Sequence, residues 1–126
     1  MMGKEWIYHR GDIYYADLGY RTGSEQGGRR PVVVVQNDTG NFYSPTVTVV
    51  PLTSNLKKLN MPTHYILKNV PGLKKTSMAL AEAIDTIDKC WIERFIGRIS
   101  EEQMKGIDEA VSRHIGFCVP KCVEAP

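Results

Sequence analysis

The chain has 126 residues, 42% hydrophobic and 24% charged, which fits one globular domain and excludes disordered, collagen-like and disulfide-dense polypeptides. A net charge of +2 hides an uneven distribution: residues 1 to 81 hold ten Lys and Arg against five Asp and Glu, and residues 82 to 126 hold six against nine. The first two thirds thus carry +5 and the remainder −3, a balance that suits a polyanion or an acidic peptide and that a solvated face also produces.

The longest aliphatic run, Val32 to Val35, is too short to cross a bilayer, and residues 1 to 10 lack the apolar stretch of a signal peptide. A soluble, cytoplasmic protein with no membrane partner is expected. Cys90, Cys118 and Cys122 cannot all pair and match neither a zinc ribbon nor a redox motif, so free thiols in a reducing compartment are expected.

In chain order, Asp12 to Leu18 follows Gly11 with β-branched and aromatic residues and reads as a strand. Residues 19 to 30 carry four glycines and almost no apolar side chain, the composition of an exposed loop. Pro31 opens a valine run expected to be a strand buried on both faces. Asn37, Asp38, Gly40 and Asn41 read as a turn, and Thr46 to Leu52 as a third strand. A polar loop, Thr53 to Pro62, precedes a short strand at Thr63 to Leu67. Ser77 to Ile84 fits helix or strand by periodicity, and its length and neighbours favour strand. Asp88 to Phe95 reads as a short helical turn, followed by a small strand around Gly97. The one clear helix starts at the capping box Ser100/Gln103 and carries Met104, Ile107, Val111 and Ile115 at helical spacing up to Gly116. Residues 1 to 117 are thus expected to form a single domain, and 118 to 126 a frayed tail. Short strands closed by one helix point to a mainly β protein with a small curled sheet or open barrel.

Familiar catalytic constellations are missing. His9, His64 and His114 have no sequence neighbour at metal-ligand or nucleophile spacing and read as structural or surface residues. No GxSxG, P-loop or GxGxxG occurs. Asp12 and Asp17 lack a third carboxylate, which argues against a two-metal nuclease. What remains is the loop ending in Arg29-Arg30-Pro31 and the strand end Thr53-Ser54. Arginine at the start of a buried strand is costly unless it faces an anion, so Arg30 is either a positioned phosphate ligand or an exposed arginine paired with Glu25 or Asp38.

The segments GDIYYADL and GSEQGGRRPVVVVQND resemble the MazF/PemK family of toxin endoribonucleases. The resemblance runs on through Asn41, Ser44-Pro45-Thr46, the strand ending at Thr53, Pro62-Thr63-His64, Ala79-Leu80-Ala81-Glu82 and Thr86-Ile87-Asp88-Lys89, in order and over residues 8 to 117. It implies an SH3-like open barrel of about six to seven strands with a C-terminal helix, a homodimer, and a MazE-like antitoxin as partner. It further implies cleavage of single-stranded RNA with neither metal nor cofactor, leaving a 2′,3′-cyclic phosphate and a 5′-hydroxyl.

By the same resemblance Arg30 and Thr53 are catalytic. Gly23, Ser24, Glu25, Gln26, Gly27 and Gly28 match a flexible loop over the RNA groove, and Arg29, Ser54 and Glu82 are further RNA-binding positions, with no catalytic role carried onto Arg29. Ala83 stands where the family often has an amide and Asp85 where it often has a base, so an altered RNA string is expected. The general base stays open between Glu25, a second arginine and water. Two other readings are a gyrase-poisoning toxin of related fold and an SH3-like peptide module recruiting Tyr14, Tyr15 and Tyr43.

Overall fold

The computed structural model describes residues 7–19 and 27–117. Its elements are β1 (Asp12–Asp17), β2 (Arg29–Val34), α1 (Asp38–Tyr43), β3 (Thr46–Thr53), β4 (His64–Leu67), β5 (Ser77–Leu80), β6 (Asp85–Asp88), β7 (Ile92–Arg98) and α2 (Glu101–His114). Single 3-10 turns at Ala81–Ala83 and Lys89–Trp91 separate the last three strands.

The strands form one unclosed seven-stranded sheet in the order β4-β5-β3-β2-β1-β7, with β6 also paired to β3 and every pairing antiparallel. At eight residues β3 is the longest strand, and it organises the sheet. Its first half pairs with β6 on one side, its middle with β2 on the other, and its end, Leu52 and Thr53, with β5. This branching curls the sheet and gives it two cores. Ile13, Val33, Val50, Leu52, Leu67 and Ala79 pack with Ile107 of α2, whereas Tyr14, Ala16, Val32, Val34, Val47, Val49 and Ile87 form the other cluster. Successive residues of a strand point to opposite faces, so Val32, Val33 and Val34 are all buried because both faces are covered, as the valine run implies.

Helix α2 starts where expected. The Ser100 hydroxyl accepts from the Gln103 amide and the Gln103 side chain accepts from the Ser100 amide, satisfying donors that the first turn leaves open. It ends in a Schellman arrangement, with Phe117 N–H donating to the Ser112 carbonyl and Gly116 at φ +88°. Ile115 therefore lies beyond the last helical residue and is 57% exposed, so it does not extend the buried face. Gly106 lets β4 approach closely: a Cβ there would lie 2.0 Å from the Tyr65 ring.

Three local expectations change. The turn at residues 37 to 41 is the start of α1, capped by the Asn37 side chain accepting from Gly40 N at 2.8 Å. The strand expected over Ser77–Ile84 stops at Leu80, and Asp85–Asp88 forms an unexpected strand, β6, held by its register with Thr46–Val49 of β3. Helical structure within Asp88–Phe95 is limited to residues 89–91, and Ile92 onward already belongs to β7. The tail at 118–126 lies outside the described residues, as do Cys118 and Cys122.

Candidate functional site

β2 and β3 pair as Val32 with Pro51, Val33 with Val50 and Val34 with Val49. Continuing this register two residues outward sets Arg30 opposite Thr53, on the same face, because side chains two apart in a strand point the same way. Arg30 is half-buried; its Nε donates to the Gly27 carbonyl at 3.1 Å and its Nη1 points to the Leu52 carbonyl at 3.5 Å. Both carbonyls accept from the guanidinium and fix its plane at the strand edge. Asp38, one sequence candidate to pair it, instead accepts from Arg10 N at 2.8 Å and from Asn41 Nδ2 at 3.1 Å. Thr53 is half-buried, and its hydroxyl accepts from Asn55 N at 3.1 Å.

Thr53 lines a groove of about 640 Å³ that also takes in Leu18, Lys57, Lys58, His64, Glu82, Ala83 and Asp85. Within it His64 Nε2 lies 2.8 Å from Glu82 Oε2, Thr63 Oγ1 donates to Glu82 Oε1 at 2.8 Å, and His64 Nδ1 lies 3.0 Å from the Lys58 carbonyl. The His64 ring is only 6% exposed. Both of its partners are acceptors, so the doubly protonated ring satisfies both and the neutral ring one. Burial pushes the Glu82 carboxyl up, but the hydrogen bonds from His64 and Thr63 outweigh it and hold the group below the ordinary carboxylate value.

His64 is the residue that sequence spacing missed. Its partner is 18 residues away, and only the β4–β5 pairing, His64 against Leu80, brings the two together. Lys57, Lys58 and Asn55 were likewise visible only as loop composition, yet they line the same groove. Ala83 and Asp85, the two departures from the family pattern, line it too.

Other sequence candidates fall elsewhere. Gly23, Ser24, Glu25 and Gln26 lie outside the described residues. Gly28, at φ +73°, donates to the Gly19 carbonyl at 2.7 Å and accepts from Leu18 N at 3.0 Å, which joins the end of β1 to the start of β2. Arg29, on the opposite face of the strand from Arg30, is exposed and held by Glu93 at 2.8 Å and Asp17 at 3.8 Å. Ser54 is exposed and lines a neighbouring groove rather than the one beside Thr53.

Asp12 and Asp17 do not form a metal pair. Asp12 is buried and accepts from Arg98 Nε at 2.7 Å and His9 N at 3.0 Å, while Asp17 sits at the far end of β1. Among the described residues no cluster of three His, Cys, Asp or Glu is placed to hold a metal, and no helix is long and apolar enough to cross a membrane. Tyr14, Tyr15 and Tyr43 do not share a groove: Tyr14 is core, Tyr15 lies under Arg94, and Tyr43 is 69% exposed on α1.

A family model described as PemK-like, MazF-like toxin of type II toxin-antitoxin system matches residues 9–115. Endoribonuclease MazF of Staphylococcus saprophyticus subsp. saprophyticus is 46% identical over 112 residues, covering 88% of this chain and 93% of that protein. Among solved structures, an endoribonuclease from a mycobacterial species in complex with its cognate antitoxin aligns with a TM-score of 0.76 at 26% identity, over 90% of this chain and 100% of that one. MazF from Deinococcus radiodurans shares the fold at 19% identity, with a TM-score of 0.77 over 89% of this chain and 99% of its own. A match over nearly the whole chain means that this chain belongs to the PemK-like, MazF-like family of type II toxin–antitoxin toxins.

Proposed function

We propose that the chain is the toxin of a type II toxin–antitoxin pair and an endoribonuclease that cuts single-stranded RNA at specific strings without a metal. What supports this reading is the β2–β3 register, which continued past Val32 and Pro51 leads to Arg30 and Thr53, beside a groove bearing Thr53, Lys57, Lys58, His64 and Glu82. RNA supplies its own nucleophile. Its 2′-hydroxyl attacks the adjacent phosphorus in line and gives up its proton, the P–O5′ bond breaks, and the leaving oxygen takes up a proton, which yields a 2′,3′-cyclic phosphate and a 5′-hydroxyl.

The protein's share is orientation and charge stabilisation. Arg30 provides a fork for the non-bridging oxygens, whose negative charge grows in the transition state. Its guanidinium is a poor proton donor, so its role is electrostatic. The Thr53 hydroxyl donates one neutral hydrogen bond to the same phosphate and contributes less. A single strand is required because a paired A-form strand can neither reach in-line geometry nor expose its base edges.

The functional unit spans residues 1 to 117, the protein acts in the cytoplasm, and an antitoxin with an acidic segment neutralises it, as the mycobacterial complex suggests by analogy. Two copies assemble. Exposed Met61, Ile115 and Phe117 support this, because the Arg113 Nη1 bond to the Pro62 carbonyl at 3.1 Å brings the end of α2 to the Met61 loop. The test is incubation of purified protein with a long single-stranded RNA in chelator, followed by end-group analysis. Cyclic phosphate and 5′-hydroxyl ends are expected, and a strict magnesium requirement would sink the mechanism.

A further inference from the structure

Pro31 and Ser54, the chain neighbours of Arg30 and Thr53, line a second groove of about 440 Å³ on the other face of the same strand edge. Its rim carries Lys74, Lys75 and Arg94, and among the described residues no carboxylate lines it. Among the described residues these three cations form no ion pair, whereas Arg10, Arg29, Arg98 and Arg113 each face an Asp or Glu. The Arg94 guanidinium lies 4.7 Å over the Tyr15 ring, which fixes its plane and leaves its in-plane N–H donors for a phosphate. Its chain neighbour Phe95 turns the other way, its ring edge-on to Tyr14 at 5.5 Å on the opposite face of the sheet.

Three cations along one groove with no ion pair among the described residues suit the phosphate backbone of a single-stranded nucleic acid. The first groove differs in character. Beside Lys57 and Lys58 it carries Glu82 and Asp85, and carboxylates repel phosphates while accepting hydrogen bonds from base edges.

We propose that the second groove holds the RNA flank beyond the scissile phosphate, with Lys74, Lys75 and Arg94 on its phosphates. The strand then crosses the Arg30–Thr53 edge, with its bases read in the first groove on one side and its backbone held in the second on the other. This assignment rests on the endoribonuclease reading and adds Lys74, Lys75 and Arg94, none of them a position carried over by resemblance, to the substrate-binding surface that Ser54 already borders.

The test starts from a cut site mapped on a long RNA, from which three substrates are made: one with both flanks, one trimmed on the 5′ side and one trimmed on the 3′ side. Single-turnover rates are measured against protein concentration for wild type, for the triple variant Lys74→Ala/Lys75→Ala/Arg94→Ala, and for Phe95→Ala. For wild type, trimming one particular flank should weaken substrate binding on the order of tenfold with the maximal rate kept, and trimming the other should do little. The triple variant should show that loss on the full substrate, be insensitive to trimming the same flank, and cut the trimmed RNA at the wild-type rate, which also shows that it is folded. Its salt dependence should be shallower by about two in log–log slope, as expected for roughly three lost contacts to a single strand. Phe95→Ala, which alters a ring on the opposite face of β7, should keep the wild-type dependence on that flank and the wild-type salt slope.

A triple variant that matches wild type on every substrate, or loses equally on all three, would overturn the proposal. So would loss of binding to a polyglutamate peptide with RNA cleavage unchanged, since the groove would then be a site for acidic protein. Absence of any RNA cleavage by wild type is a separate result, and it would remove the endoribonuclease reading itself.

Discussion

The His64 ring and the Glu82 carboxylate meet at 2.8 Å across the β4–β5 pair, inside the groove that begins at Thr53. The pair fixes the floor of that groove, because the ring is nearly buried and the carboxylate also binds Thr63. Glu82 is held below its ordinary value of 4.5, so its stabilising share is present above about pH 4.5 and is lost as pH falls through the lowered value. In urea unfolding at a series of pH values, wild type should exceed Glu82→Gln in stability at neutral pH, and the gap should close in acid below that ordinary value. A constant gap would show that the carboxylate charge is not what His64 and Thr63 hold. His64→Ala should weaken RNA binding more than it slows the chemical step.

Base choice should depend on Ala83 and Asp85, which line the groove where the family often carries an amide and a base. Alanine cannot hydrogen-bond a base edge, and aspartate only accepts. The double variant Ala83→Gln/Asp85→Arg should therefore cut a long RNA at a different or longer string than wild type. Identical cut sites with identical relative rates would mean that these positions do not read bases.

Gly106 should be intolerant of any side chain, although alanine is normally the better helix former. Its Cβ would lie 2.0 Å from the Tyr65 ring, so Gly106→Ala must displace that ring from its place between β4 and α2. Overpacking of this kind costs about 1 to 3 kcal/mol. Thermal unfolding should show a lower Tm.

The parts of the fold legible in the sequence are those whose cause is local. The Ser100/Gln103 capping box and the apolar spacing of Met104, Ile107 and Val111 mark α2 because both operate within a few residues. The Pro31-initiated valine run marks β2 for the same reason. What escaped was set by tertiary pairing. β6 is four polar and β-branched residues, Asp85–Asp88, that become a strand because β3 offers them an edge. Arg30 and Thr53 stood out because each ends a recognisable strand in a block of family resemblance. His64 did not, because its chemistry depends on Glu82, which only the β4–β5 register brings to it. Arg29, adjacent to Arg30, was grouped with it in sequence, but strand alternation turns it toward Glu93.

An antitoxin with an acidic segment should compete with RNA for the groove bearing Lys57 and Lys58. In a displacement titration, labelled single-stranded RNA should leave the toxin as antitoxin is added, and the antitoxin's affinity should fall as salt rises. A complex that binds RNA with unchanged affinity would refute a shared surface.

The measurement that bears most directly on the central claim is single-turnover cleavage of one RNA substrate in chelator by wild type, Arg30→Ala, Arg30→Lys and Thr53→Ala. If preorganised charge at the β2–β3 edge stabilises the transition state, Arg30→Ala should lose on the order of a hundredfold or more in the chemical step, and more than Thr53→Ala. Arg30→Lys should recover little, because an ammonium cannot reproduce the guanidinium fork. Cleavage by Arg30→Ala at the wild-type rate, with the same ends, would contradict the account.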